Sequence, residues 1–223
     1  MTAIRDQAIW AASLGQKFDL KAADAKTSAL AKVKTNFSGK TTYDSGKVAV
    51  DNTLNAAKDY KIELFASETE FPNLANPMQL SFDNKGRLWV ATMPSYPHWK
   101  PGDAKPADKL LIYEDTNGDG KADKETVFAN DLNIPIGFEF APEGVYVSQG
   151  TNLVLLKDLD GDDKYDTKEI ILSGFDDHDT HHNIGAFSTD PSGAIFMAEG
   201  IFLNTNVETS YGTVRGTDGG FYR

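Results

Sequence analysis

From Tyr60 onward, apolar residues come in short runs broken by Gly, Asn, Asp and Pro, the texture of β-strands joined by tight turns. The runs repeat. "KLLIYEDTNGDGKADKETVFA" (109–129) aligns without a gap onto "NLVLLKDLDGDDKYDTKEIIL" (152–172), an offset of 43 residues. "NPMQLSFDNKGRLWVA" (76–91) aligns onto "NIGAFSTDPSGAIFMA" (183–198), an offset of 107, and "NIPIGFEFAPEGVYVS" (133–148) is a looser third copy. One unit is then four strands, in the manner of "PMQLSF", "RLWVA", "LLIYE" and "ETVFA". Four antiparallel strands every ~40–50 residues is the spacing of a β-propeller blade. A β-sandwich also has short regular strands but has no reason to repeat their sequence. The expectation is an all-β chain, a partial β-propeller of about two to three four-stranded blades. "GGFYR" (219–223) reads as the start of the third blade's third strand, so the sequence reads as a truncated piece of a longer protein.

Residues 1–58 have a different pattern. "IRDQAIWAASL" and "LKAADAKTSALAKVKTNF" place apolar residues at helical spacing among Ala, Leu and Lys, and "SGKTTYDSGK" reads as loop. The expected organisation is an N-terminal helical and linker segment over 1–58, followed by the propeller portion over 59–223.

Composition narrows the function classes. The net charge of −11 and the absence of clustered Lys/Arg argue against a nucleic-acid partner. The lack of cysteine excludes disulfides, thiolate metal sites and a covalently attached c-type haem within these residues. No run approaches the ~20 apolar residues of a membrane helix, and the first residues lack the pattern of a secretory signal.

Two acidic turns carry metal-like spacing. "DTNGDGKAD" puts Asp115, Asn117, Asp119 and Asp123 at positions 1, 3, 5 and 9 of a calcium loop, with Gly120 at 6 and the Lys121 carbonyl at 7. Its copy offers Asp158, Asp160, Asp162 and Asp166, with Lys164 at 7 and Glu169 at 12, but has Asp163 where the glycine belongs. Dense carboxylates repel unless a cation lies between them, so a structural Ca²⁺ is expected. A solvated Asx-rich turn is the other reading.

"GFDDHDTHHNIG" (174–185) holds three of the four histidines. The repeat register puts His181 and His182 immediately before an innermost strand, at the mouth of a central channel. Adjacent side chains in extended chain point oppositely, so one histidine is expected to face the channel while the other anchors the loop. Asp179 is placed to orient an imidazole, and His178 is expected in solvent. The long connections 93–108 and 199–220 fall on the same face, where Tyr96, His98, Trp99 and Arg215 could line a pocket.

"LFASE", "NLANPMQLSFDNKGRLWVA", "DTNGDGKADKETVFA", "GVYVSQGTNLVLLKD", "DTHHNI" and "VETSYGTVRG" resemble, in order, the propeller of membrane-bound dehydrogenases of planctomycete, verrucomicrobial and bacteroidete type. These are similar in turn to soluble quinoprotein glucose and sorbosone dehydrogenases. The resemblance implies a six-bladed propeller, export to the periplasm or cell envelope, and a c-type cytochrome domain or protein as partner. It implies oxidation of a sugar or other alcohol by pyrroloquinoline quinone, with His181 or His182 as general base and Arg215 on an anionic group. The alternative is a non-catalytic, calcium-stabilised propeller that binds glycans or protein partners.

Overall fold

The structure of the protein, a computed structural model, describes residues 2–26, 50, 54–97 and 102–223. It divides into one unit over Met1–Tyr43 and a second over Asp44–Arg223. The first holds α1 (Thr2–Ser13) and α2 (Leu20–Asp24). Asp19 caps α2 by accepting from the Ala22 amide at 2.9 Å, and Arg5 pairs with Asp24 at 2.7 Å. The remaining helical stretch and the loop expected before residue 50 lie outside the described residues.

The second unit is all-β and antiparallel. Strands β1 (Pro77–Phe82), β2 (Leu88–Thr92), β3 (Asp108–Glu114) and β4 (Lys124–Leu132) form a meander in chain order. The next meander is β5 (Phe138–Ala141), β6 (Gly144–Gln149), β7 (Asn152–Lys157) and β8 (Thr167–Ser173). A third sheet pairs β9 (Gly185–Thr189) with β10 (Ile195–Glu199) and β10 with β13 (Gly220–Tyr222). The first two are the four-strand units legible in the repeat.

The sheets stack face to face, which explains their composition. On β3, Leu110 and Ile112 pack towards the second sheet with Trp89, Phe128, Phe138 and Leu156, while Leu111 and Tyr113 turn to the opposite face against Leu74 and Phe71. On β7, Val154 and Leu156 face the first sheet and Leu153 faces Phe175, Ile184 and Met197. Strands covered on both sides need apolar residues at every position, so "LLIY" and "LVLL" do not alternate. Burial of such a side chain contributes on the order of 2 kcal/mol.

Polar side chains lock neighbouring sheets. Gln79 on β1 accepts from the Phe138 amide at 2.9 Å and donates to its carbonyl at 2.8 Å, copying a strand pairing between the first strands of the two meanders. At the opposite end, Arg87 donates to Asp83 at 2.8 Å and reaches across to Asp163 at 2.7 Å, while the Trp89 indole donates to Asp83 at 3.0 Å. Asp163 sits at φ +63°. The residue expected to be a missing glycine is the anchor of an ion pair between sheets.

The segment 199–220, expected as a long loop on the histidine face, is mostly strand. β11 (Asn204–Thr209) and β12 (Gly212–Thr217) form a hairpin that leaves the third sheet and joins the outer edge of the second beside β8. Thr205 and Val207 alternate inward, and Val207 packs on Leu153, Phe175 and Met197. The Asn206 amide donates to the Gly174 carbonyl at 2.8 Å.

Candidate functional site

In each of the three sheets the residue after the second strand closes onto a residue one to five positions ahead of the first strand. Met93 donates to the Asn76 carbonyl at 3.1 Å, Gly150 to that of Asn133 at 3.0 Å, and Gly200 to that of His182 at 2.8 Å. This recurrent closure forms one rim, and the histidine loop lies on it.

His181 and His182 lie in a turn, not the extended chain expected, closed by the His182 amide on the Asp179 carbonyl at 3.0 Å, and their rings, 6.4 Å apart, take different partners. The His181 imidazole meets the Tyr96 hydroxyl, which lies 3.0 Å from Nδ1 and closer still to Nε2, with the rings packed edge to face at 4.9 Å. His182 has its Nδ1 2.7 Å from the Ile201 carbonyl and its ring stacked on Phe202 at 5.6 Å. Asp179 stands between them, 3.5 Å from His181 Nδ1 and 3.7 Å from His182 Nδ1. His181 is the more open, with 64% of its side chain exposed against 30% for His182. Both line one depression, with His182 held by the Ile201 carbonyl and His181 the more accessible.

Positioning comes from buried polar residues. Asp108, fully buried at the start of β3, accepts from the Ser95 amide at 2.9 Å, the Ser95 hydroxyl and the Ile134 amide at 2.7 Å. That holds the segment bearing Tyr96. Thr180 donates to the Pro97 carbonyl at 2.8 Å, tying this segment to the histidine loop. Asp176 accepts from the Asn204 amide at 2.7 Å and from His178 at both its amide (3.1 Å) and its Nδ1 (2.8 Å). Burial raises the Asp176 carboxyl, but these donors outweigh it and hold the group below the usual range. His178, expected in solvent, is thus half-exposed but paired.

Behind the loop, Glu199 is buried and accepts from the Thr205 hydroxyl and, at 2.8 Å, from the Tyr222 hydroxyl. Burial and this bond push the Tyr222 phenol up to about 12, so it remains a donor at neutral pH. His181, Asn183, Ala186 and Glu199 line an open depression of about 290 Å³. Neither Asn183 nor Glu199 was singled out from the sequence. Their signal was positional: Asn183 lies two residues before β9 and Glu199 ends β10.

The other expected residues lie elsewhere. Arg215 is exposed on β12, the outermost strand of six, and its guanidinium makes no hydrogen bond or ion pair among the described residues. His98 and Trp99 lie outside the described residues. A quinone bearing several carboxylates does not fit what is present. Among the described residues, no Lys or Arg lines the depression, which instead carries Glu199 with Asp179 beside His181.

Both acidic turns adopt the same Asx geometry. Gly118 donates to Asp115 and Gly161 to Asp158, each at 2.7 Å. Backbone donors, that of Gly120 foremost, hold the Asp115 carboxyl below its ordinary value. Asp123 is engaged by Thr116, whose hydroxyl is 2.9 Å away. Asn117 accepts from the Asp119 amide at 2.9 Å, and Asp119 from the Lys121 amide at 2.9 Å. In the second turn, carboxylate oxygens of Asp158, Asp160 and Asp166 lie within 4.8 Å of one another. Asp162 accepts from the Lys164 amide at 2.9 Å, and Glu169 pairs with Lys157 at 2.8 Å rather than closing the turn. A hard cation with oxygen ligands at ~2.4 Å fits the three clustered carboxylates.

Fold and rim together define a repetitive antiparallel β protein with an imidazole–phenol pair exposed at one end of its sheets. The chain belongs to the family described as "Domain of unknown function (DUF7133)", whose model matches residues 49–223. No curated protein matches it. A solved structure described as a "putative gluconolactonase" is similar at 16% identity and a TM-score of 0.38, over 64% of this chain and 47% of that one. The chain thus spans about half the length of that protein. No helix among the described residues is long and apolar enough to cross a membrane.

Proposed function

We propose that the chain is part of a β-propeller whose rim binds an uncharged polyhydroxylated ligand, a sugar or related alcohol. His181 is the base that accepts a proton from one of its hydroxyls. The propeller reading is supported by successive meanders whose first strands are locked side by side through Gln79 and Phe138. The contact of Tyr96 with His181, beside Asp179, carries the reading of the site. A carboxylate near an imidazole stabilises the imidazolium formed on proton transfer, and a phenol fixes the ring. The absence of cations from the described lining favours a neutral ligand. The family resemblance supports an exported location and oxidation of the alkoxide, in which the hydride on its carbon passes to a two-electron redox carrier held outside the described residues and the electrons go on from that carrier to a c-type cytochrome.

The test is isothermal titration of the 223-residue chain with methyl glycosides of glucose, galactose and mannose and with inositol, followed by dye-linked assays on whichever binds. Binding that His181→Ala weakens is the expected result, and no binding by any polyol sinks the reading. Binding without turnover would instead support the non-catalytic glycan-binding alternative.

The clustered carboxylates of Asp158, Asp160 and Asp166 favour a second, structural reading, a calcium ion stapling the β7–β8 turn. Added CaCl₂ should raise the melting temperature of the chain, and Asp160→Asn should abolish the rise. A rise unchanged in that variant would refute it.

A further inference from the structure

A buried amide usually spends its hydrogen-bonding capacity inside the protein. Asn183 does not. It is 4% exposed, and neither its Oδ1 nor its Nδ2 has a partner among the described residues. It also lines the depression beside His181. Neighbouring rim positions share the trait. Asn133 Oδ1 lies ahead of β5, and Thr92 Oγ1 and Gln149 Oε1 end second strands, all three buried and unpartnered. The unspent capacity therefore gathers at the rim closures, where the fold supplies apolar packing but few complementary donors or acceptors.

Resting on the polyol reading above, we propose that Asn183 is the residue that reads a vicinal pair of hydroxyls. Its amide donates through Nδ2 to one hydroxyl and accepts through Oδ1 from its neighbour. The chemistry matches in kind: one planar group offers a donor and an acceptor side by side, and a diol offers the complement. Among the described residues, no hydrogen bond holds the amide in its buried position. Leaving it there unpaired is unfavourable, so a side-chain rotation towards a hydroxylated ligand is downhill. A carboxylate here would repel Glu199 and Asp179, and an apolar residue could not distinguish a diol from its deoxy analogue.

The experiment measures two quantities on Asn183→Leu and Asn183→Ala: the urea midpoint, and affinity for the best-bound glycoside of the panel and for its monodeoxy analogues. In wild type, removal of one hydroxyl of the recognised pair weakens binding about tenfold. In Asn183→Leu the parent sugar binds about ten- to hundredfold more weakly, the deoxy penalty disappears, and the urea midpoint rises, because a group without partners leaves the core. If both variants fail to fold, or both lose stability while binding the sugar as wild type does, Asn183 is structural and the proposal is overturned. If wild type binds no polyol, the reading of the whole site falls with it. If polyols bind and only the Asn183 variants are indifferent, this inference alone falls.

Discussion

The ion pair between Arg87 and Asp163 makes a prediction in which one substitution reverses sign. Arg87 is 11% exposed and bonded to Asp83, 10% exposed, and to Asp163, 27% exposed. Arg87→Ala strands two carboxylates in a largely dry setting, a loss of about 3–5 kcal/mol. For a chain of this size that lowers the melting temperature by about 10 °C. Asp163 is only partly buried, so losing its side of the pair costs about 2 kcal/mol, between the exposed and buried limits. Glycine at φ +63° returns about 1 kcal/mol of backbone strain. Asp163→Gly alone is therefore destabilising by about 1 kcal/mol. With Arg87 already replaced by Ala there is no pair to lose, and the same substitution stabilises by about 1 kcal/mol, a coupling of about 2 kcal/mol. Urea titrations of the four proteins, run with a chelator to exclude any metal contribution, measure the cycle. If Asp163→Gly is equally destabilising in both backgrounds, the contact does not bridge the sheets as described.

Two further outcomes follow from the same geometry. The Asp163 carboxyl is held below its ordinary value by Arg87, and that of Asp83 by the Trp89 and Arg87 donors despite a burial that opposes them. Groups depressed in the folded state contribute stability above the unfolded pKa of about 3.9 and lose it as pH falls through the folded value. The acid limb below about pH 4 should be shallower in Asp163→Asn, measured as urea midpoint against pH, and an unchanged limb would contradict the assignment. Gly174 has φ +104°, and a Cβ there would lie 2.1 Å from the Asn206 carbonyl oxygen. Gly174→Ala should cost about 3 kcal/mol and open the β11–β12 hairpin to proteolysis near Tyr211. Wild-type resistance to cleavage would count against the hairpin's attachment.

The strands were legible because burial on both faces leaves an unmistakable record: "LLIY" and "LVLL" cannot be solvent-facing, and their repetition gave the four-strand unit. The separate partners of His181 and His182 come instead from a turn closed on the Asp179 carbonyl, which the extended-chain reading of that stretch did not foresee. The rest of what escaped was non-local. Tyr96 pairs with His181 across 85 residues and Arg87 with Asp163 across 76. Position six of the second acidic turn therefore looked like a flaw in a calcium loop instead of a tether. The β11–β12 hairpin was hidden by its polar composition, since "NTNVET" buries only Thr205 and Val207. It has no copy elsewhere in the repeat to betray it. Arg215 was misplaced for that reason, carried to the outer edge by a hairpin read as loop.

That hairpin also sets the order in which the sheets become complete during synthesis. The second sheet receives its last two strands from residues 204–217, after β9 and β10 of the third have already been made. The third gains β13 only once the chain has returned. The second sheet therefore stays open at its β8 edge until β9 and β10 have been made, and β10 waits for β13 until the hairpin is complete. The junction between second and third units is thus interleaved, so a cut or a circular permutation there would separate strands that belong to one sheet, whereas the junction between the first two units carries no such exchange.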